Sequence, residues 1–322
     1  MGELRGVAAT ALGVARIRAA ESARPDRLFD DPYAAAFVAA APPPPTAAAR
    51  ADDAEVPAAR REAFHRGLFR HIVLRTRFFD DYLTAAATAH ALRQVVVLAA
   101  GLDTRAYRLP WPDGLRLYEV DLPEVLAFKE RVLDEQGARP RCARTAVTAD
   151  LRTDWPAALR AAGFAPDEPT AWLVEGLLVY LSAEEAARLL TTLGEQSAPG
   201  SRLAFAGSGD FRNSPMMAGG RALPSMREIS ALWKGGLDEP ADDWLGRHGW
   251  QPRTYAHETL AASYGYGPAS GARPGKADAD GADGTDRADG ADTVDGADRA
   301  DGTDGRGAFV VAVRADREIP AG

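Results

Sequence analysis

Hydrophobic spacing changes character near residue 93 of the chain. Before that point the period is helical. Residues 8–39 read as helix with one apolar face and Thr10 as a candidate N-cap, and Asp31-Pro32 opens a second short helix, DPYAAAFV. A longer helix over roughly 58–90 carries HRGLFRHIVLRTRFFDDYLTAA. Between them, APPPPTAAARADDAEVP (41–57) is rich in Pro and Ala and has no period, which predicts a surface linker.

Beyond residue 93, strands and helices alternate. Gln94-VVVLAA-Gly101 is a short β-branched run, the mark of a strand buried on both faces. Further strands are expected at 114–121, 143–150, 170–181, 201–207, 250–257 and 308–314. Pro123 suits a first helical position, the helix it opens ends at Gly137, and another runs from Pro156 to Ala162. Ser182-x-x-Glu185 has the form of a capping box at the head of SAEEAARLLTTLGEQ. This alternation predicts an α/β, doubly wound, mostly parallel sheet covered on both faces, with ligands outside the carboxyl ends of its strands.

Charge and composition sharpen the picture. The 322 residues carry a formal net charge of −8. Residues 271–307 hold ten Asp and five Lys/Arg, so this segment supplies −5 and leaves −3 for everything else. It breaks into Asp-Gly triplets with one Val and no aromatic residue, too little apolar surface to offset chain ordering, and 271–306 is expected to be disordered. A mildly acidic chain argues against nucleic acid or an anionic membrane as partner. Cys142 is the only cysteine, which excludes an intrachain disulfide and a cysteine-built metal site. The five histidines show no metal spacing. No apolar run reaches the roughly 20 residues that span a bilayer, and Arg5, Arg16 and Arg18 interrupt the N-terminal segment, so a cytoplasmic protein is expected. The sequence does not specify an oligomeric state.

Candidate chemistry gathers at the strand ends. The first strand runs into Ala99-Ala100-Gly101-Leu102-Asp103, a small-residue turn that lets a ligand approach the backbone. The second ends in Asp121, placed to accept the hydroxyls of a ribose, and Asp150 and Glu175 follow on the next two strands. Carboxylates clustered beside a pocket are costly unless something uses them. Neither GxGxxG nor a P-loop is present, which counts against a nicotinamide or nucleotide-sugar enzyme.

TALGVARIRAAESARPDRLFDDPYAAAFV, LRTRFFDD, VVVLAAGLDTRAYRL, YEVDLPEVLAFK, ADLRTDW and LVEGLLVYLS, in that order, resemble the bacterial class I S-adenosylmethionine-dependent methyltransferases related to leucine carboxyl methyltransferase. The resemblance covers most of residues 8–265 and 307–314 and has no counterpart for the acidic repeat. It implies a seven-stranded Rossmann-like methyltransferase sheet with an antiparallel last strand. Its domains would be an N-terminal helical lid (1–92) and a core (93–270 plus 307–316) with an acceptor-side insertion at 208–248.

It also implies S-adenosyl-L-methionine as cofactor. Gly101 and Asp103 would lie beside its amino-acid portion, Asp121 at the ribose, and Asp150 with Leu151 at the adenine. Arg75, helped by Arg18, would meet the cofactor carboxylate, while Glu175 and Tyr180 would sit near methyl donor and acceptor in the catalytic position. Ala99 departs from the pattern, standing where the usual GxG has its first glycine.

Simpler roles compete at several positions. Arg75 would be a surface charge, Asp103 and Arg105 would cap and solvate a short helix, and Tyr180 would pack in the core. His65 and His71 share the helix of Arg75, but neither is assigned as a base. Met216, Met217, Trp233 and Trp244 are candidates for the apolar walls of an acceptor site. The expected function is O-methylation, at carboxyl or hydroxyl, of a small-molecule acceptor. The alternatives are a non-catalytic small-molecule-binding protein and a methyltransferase acting on a protein carboxylate.

Overall fold

A computed structural model describes residues 7–41, 53–207, 215–266 and 309–315. Helices α1 (Val7–Ser22), α2 (Ala34–Ala40) and α3 (Ala58–Thr88) precede the sheet. The helical region 8–39 thus holds two helices, the second following Asp31-Pro32 as expected, and Thr10 lies inside α1 instead of capping it. Local polar groups make the break. Asp31 accepts from the N–H groups of Tyr33 and Ala34, Ser22 Oγ accepts from Asp31 N, and Glu21 accepts from Leu28 N, so the turn has its backbone donors satisfied without helical bonds.

The sheet then alternates with helices: β1 (Gln94–Leu98), α4 (Arg105–Arg108), β2 (Arg116–Asp121), α5 (Pro123–Glu135), β3 (Ala143–Thr148) and α6 (Trp155–Ala161). β4 (Thr170–Val174), α7 (Ala183–Glu195) and β5 (Arg202–Ala206) follow. Then come α8 (Pro215–Arg221), α9 (Arg227–Ala231), α10 (Ala241–Arg247), β6 (Trp250–Tyr255), α11 (His257–Ser263) and β7 (Phe309–Arg314). The capping box at Ser182 and Glu185 forms as expected.

The strand expected over 170–181 stops at Val174. Gly176 adopts a left-handed φ of 66°, and Leu178–Tyr180 form a 3-10 turn, so GLLVYL leaves the sheet at its ligand edge.

The strand order is β3-β2-β1-β4-β5-β7-β6. β1 to β5 are parallel, and β7 is antiparallel to both neighbours, β5 and β6. This is the doubly wound α/β arrangement with an antiparallel last strand, the Rossmann-like methyltransferase fold. Successive residues of β1 go to opposite cores, which is why its apolar run is continuous. Val95 and Val97 pack under α1, α2, α3 and α5 with Phe37, Phe78 and Phe128. Val96 and Leu98 pack under α6, α7 and α10 with Trp155, Leu189 and Trp244.

The chain order reverses between β1 and β4, so a crevice opens at the carboxyl ends of β1, β2 and β4, where α/β sheets bind ligands. Tyr255 pairs with Phe309 at that same edge, while the acidic repeat falls outside the described residues.

Candidate functional site

Registers place the expected residues side by side. Leu98 pairs with Val120 and Asp121 with Thr148, so the turns after β1, β2 and β3 come together. After β1 the chain turns through Ala99 (φ 51°) and Gly101 (φ 52°), both left-handed. This exposes the Gly101 N–H, which donates to Asp121 Oδ2 at 2.6 Å, while Leu122 N donates to Oδ1 at 2.7 Å. Each carboxylate oxygen keeps a lone pair for a ligand. Burial nonetheless pushes the Asp121 carboxyl above the ordinary aspartate range.

Asp103 and Glu175 belong to a buried ion-pair network centred on Arg105. Arg105 Nε donates to Asp80 Oδ1 at 2.7 Å, and its Nη1 donates to Asp103 and, at 2.7 Å, to Glu175 Oε2. Arg108 grips Asp80 with two bonds of 2.6 Å, and Arg75 Nε donates to the second Glu175 oxygen at 2.8 Å. Burial would raise the Glu175 carboxyl, but the charges of Arg105 and Arg75 outweigh it and hold it below the usual range. The same balance, led by Arg105, holds Asp103 strongly ionised. Asp103 does accept from Arg105 N at 2.7 Å, as a local cap would, but Arg105 is 1% exposed and not solvated. Arg75 is likewise buried, not a surface charge.

Arg18 is buried, donates to the Leu102 carbonyl and pairs with Asp31 at 3.1 Å, tying α1 to the turn after β1. Asp150 is paired with Arg152 at the rim. Leu151 and Tyr180 are half-buried, and Tyr180 stands in the 3-10 turn beyond β4.

All nine expected residues line one cavity of about 760 Å³, within the usual range for small-molecule sites. Helices α1 and α3 form one side of it. Its far end is walled by Phe64, Leu68, Ile229, Leu232 and Trp233. Trp244 is not among these walls. It is buried in the opposite core and stacked on His248 at 3.7 Å. The side chains of Met216 and Met217 lie outside the described residues. Among the described residues no cluster of His, Cys, Asp and Glu suits a metal ion, and no helix is long and apolar enough to cross a membrane.

Sequence reasoning missed Asp80, Arg108 and the true role of Arg105. Their signal was present as unlike charges, Asp80-Asp81 against Arg105 and Arg108, but only the fold brings 80 and 105 together. It also left His71 undecided, and the structure places that ring against the cavity.

The chain also matches known proteins in sequence. The family model for leucine carboxyl methyltransferase matches residues 11–194. A protein of Parafrankia sp. is 52% identical over 80% of this chain and 80% of its own length. One of Frankia alni is 54% identical over 76% and 84%. Both carry the name "Putative S-adenosyl-L-methionine-dependent methyltransferase". A solved structure of a DUF574-family protein from Streptomyces avermitilis aligns over 94% of this chain and 96% of its own, at 18% identity and a TM-score of 0.49. With more than half its length matched and relatives above 50% identity, the chain belongs to the leucine carboxyl methyltransferase family.

Proposed function

We propose that the protein transfers a methyl group from S-adenosylmethionine to an oxygen atom of a small-molecule acceptor. The observation that carries this reading is the convergence of Arg75, Gly101, Asp121 and Asp150 on one cavity at the switch point of the sheet. The residues fit the cofactor. Asp121 is half-buried with lone pairs to spare, matched to two ribose hydroxyls. Arg75 commits only Nε to Glu175, which leaves both Nη groups for a carboxylate. Those Nη groups lie beside Gly176, 3.4–3.6 Å from where a Cβ would stand, and it is the left-handed φ of 66° that favours glycine at this turn. Asp150 and Leu151 border the adenine end, and Arg18 acts through the turn it ties down.

When bound, the cofactor supplies a methyl group already activated on a sulfonium. The protein's task is therefore alignment and exclusion of water. Helices α1 to α3 serve as the lid over the cofactor, and the segment around α8 and α9 forms the acceptor side. The network under Glu175 keeps that carboxylate and Arg75 in fixed positions through the transfer.

S-Adenosylhomocysteine at a hundredfold excess over its Kd should stabilise the protein by about 2.7 kcal/mol, whereas NAD(P) should not. Asp121→Ala should remove the stabilisation. Labelled methyl groups should then pass to the small-molecule fraction of a host extract. No shift with S-adenosylhomocysteine would refute the reading, and label in protein alone would redirect it to a protein carboxylate.

A further inference from the structure

We propose that His71 is the general base of the transfer and that the acceptor is a weakly acidic hydroxyl, phenolic or enolic, on an apolar body. This rests on the methyl-transfer reading above.

The position of His71 along α3 carries the argument. Phe64, Leu68, His71, Ile72 and Arg75 form one face of that helix, and all five line the cavity. His71 stands one turn, about 6 Å, from Arg75. Arg75 marks the cofactor end, where Glu175 holds it, and Phe64 marks the other end, against Gly219 and Gly220. His71 thus sits between the two ends, at the level where donor and acceptor must meet.

Its ring is oriented by stacking, not by hydrogen bonds. His257 lies 5.7 Å away at 13° and Phe309 lies 5.6 Å away at 15°, and no hydrogen bond holds either ring nitrogen of His71 among the described residues. A half-buried imidazole that lines a ligand cavity, with no ring nitrogen hydrogen-bonded among the described residues, is prepared to accept a proton.

The surrounding charges decide which acceptor suits it. Burial, Arg75 and His257 all disfavour the imidazolium and hold His71 well below the ordinary histidine value, so it is neutral at pH 7. The other charges near this stack, Arg70 and Glu258, are paired with each other at 2.6 Å. A cofactor carboxylate on Arg75 would cancel part of that positive field and strengthen the base. Even so, a base of this kind matches an acceptor near the phenol range, about pKa 10, far better than an aliphatic alcohol. A carboxylate acceptor would need no base, and the far walls Phe64, Leu68, Ile229, Leu232 and Trp233 offer it no positive charge, the exposed Arg16 of α1 being the lining cation beyond them. Lys234, at the rim, is taken by Glu185 at 2.9 Å.

In the step, the hydroxyl proton passes to His71 as the acceptor oxygen forms its bond to the methyl carbon. The carbon–sulfur bond breaks with its electron pair left on sulfur, and the imidazolium returns its proton to water.

The test uses the full chain saturated with S-adenosylhomocysteine and three phenols of increasing size: 2-naphthol, 7-hydroxycoumarin and 4-phenylphenol. Histidine NMR identifies the His71 signal by its loss in His71→Phe, which keeps the stack, and His71→Asn serves as a second variant. At least one phenol should shift the His71 signal and bind roughly tenfold more weakly to both variants, while S-adenosylhomocysteine affinity stays within about twofold. With S-adenosylmethionine, the variants should methylate that phenol about 10²–10⁴-fold more slowly at pH 7. Their rate should climb tenfold per pH unit towards the phenol's own pKa, while the parent enzyme stays flat above pH 7. If no phenol moves the His71 signal, or if the variants keep full rate, the assignment is wrong. Failure of the parent protein to bind S-adenosylhomocysteine is a different result, and it removes the methyl-transfer reading as well.

Discussion

At the sheet end of the cavity, Arg75, Arg105 and Arg108 bond to Asp80, Asp103 and Glu175, three cations against three carboxylates with little solvent. At the far end, Phe64, Leu68, Ile229, Leu232 and Trp233 present carbon, and the imidazole between the ends is held by stacking, with no hydrogen bond to it among the described residues. The first end is fixed by directional bonds that a single substitution leaves unpaired. The second is fixed by shape, which repacks. Cofactor recognition therefore belongs to the rigid end, and acceptor choice to the end that can change at modest cost.

Arg105→Leu is the most severe way to break this contrast. It takes the side-chain cation from Asp103 and leaves Asp80 to Arg108 and Glu175 to Arg75 alone, and loss of one partner from a buried pair costs about 3–5 kcal/mol. Thermal melting should fall by about 10 °C, and binding of S-adenosylhomocysteine should be lost by calorimetry because Arg75 no longer has a fixed anchor. A variant melting within about 2 °C of the parent would show that the network is not a structural unit.

Gly220→Val probes the other end. A Cβ at Gly220 would lie 2.7 Å from the Trp233 ring and 3.3 Å from Phe64, so the wall must shift. Overpacking of this kind costs about 1–3 kcal/mol. The melting temperature should drop by a few degrees, with the affinity for S-adenosylhomocysteine unchanged within about twofold. If both ends responded equally, the division between them would be false.

Much of the rigid end was legible in the sequence because its parts are local. A Gly turn after a β-branched run, an acid twenty residues on and further acids at the next strand ends are readable from spacing, and Gly101, Asp121 and Glu175 all reach the cavity. What spacing does not reveal is pairing across the fold. Arg105 looks like a helix-end charge until α3 brings Asp80 against it, and Trp244 looks like a pocket wall until α10 turns it into the opposite core. The strand expected through Tyr180 failed for a local reason, because apolar GLLVYL reads as strand while Gly176 in the left-handed region ends it. His71 was visible as a residue, but its neighbours His257 and Phe309 come from nearly 200 residues away or more.

Titration separates the two ends by pH. Burial leads the lowering of both His71 and His257 below their ordinary value near 6.5, so the unfolded chain protonates first as pH falls. Stability should be complete above about pH 6.5 and decline below it, by at most about 1.4 kcal/mol per pH unit for each ring. Asp103 and Glu175 are also lowered, but their contribution persists until pH drops below the usual carboxylate range near 4. Denaturant melts between pH 6.5 and 5 therefore report the stacked histidines ahead of Asp103 and Glu175. His71→Phe should flatten that slope by up to about 1.4 kcal/mol per unit, and an unchanged slope would place the titration elsewhere.

Ala99 gives the smallest effect. It stands at the head of the turn that exposes the Gly101 N–H to Asp121, with φ 51°. A side chain in the left-handed region costs about 1–2 kcal/mol, which glycine avoids, while glycine returns roughly 0.5–1 kcal/mol of that as unfolded-state entropy. Ala99→Gly should therefore stabilise the protein by about 0.5 kcal/mol, or 1–2 °C of melting temperature. Affinity for S-adenosylhomocysteine should stay within about twofold, because the Gly101–Asp121 bond needs only the backbone course that Ala99 already follows. Destabilisation by 1 kcal/mol or more would mean that the alanine methyl contributes packing at the cavity wall. The turn would then be shaped by its side chain and not merely tolerant of it.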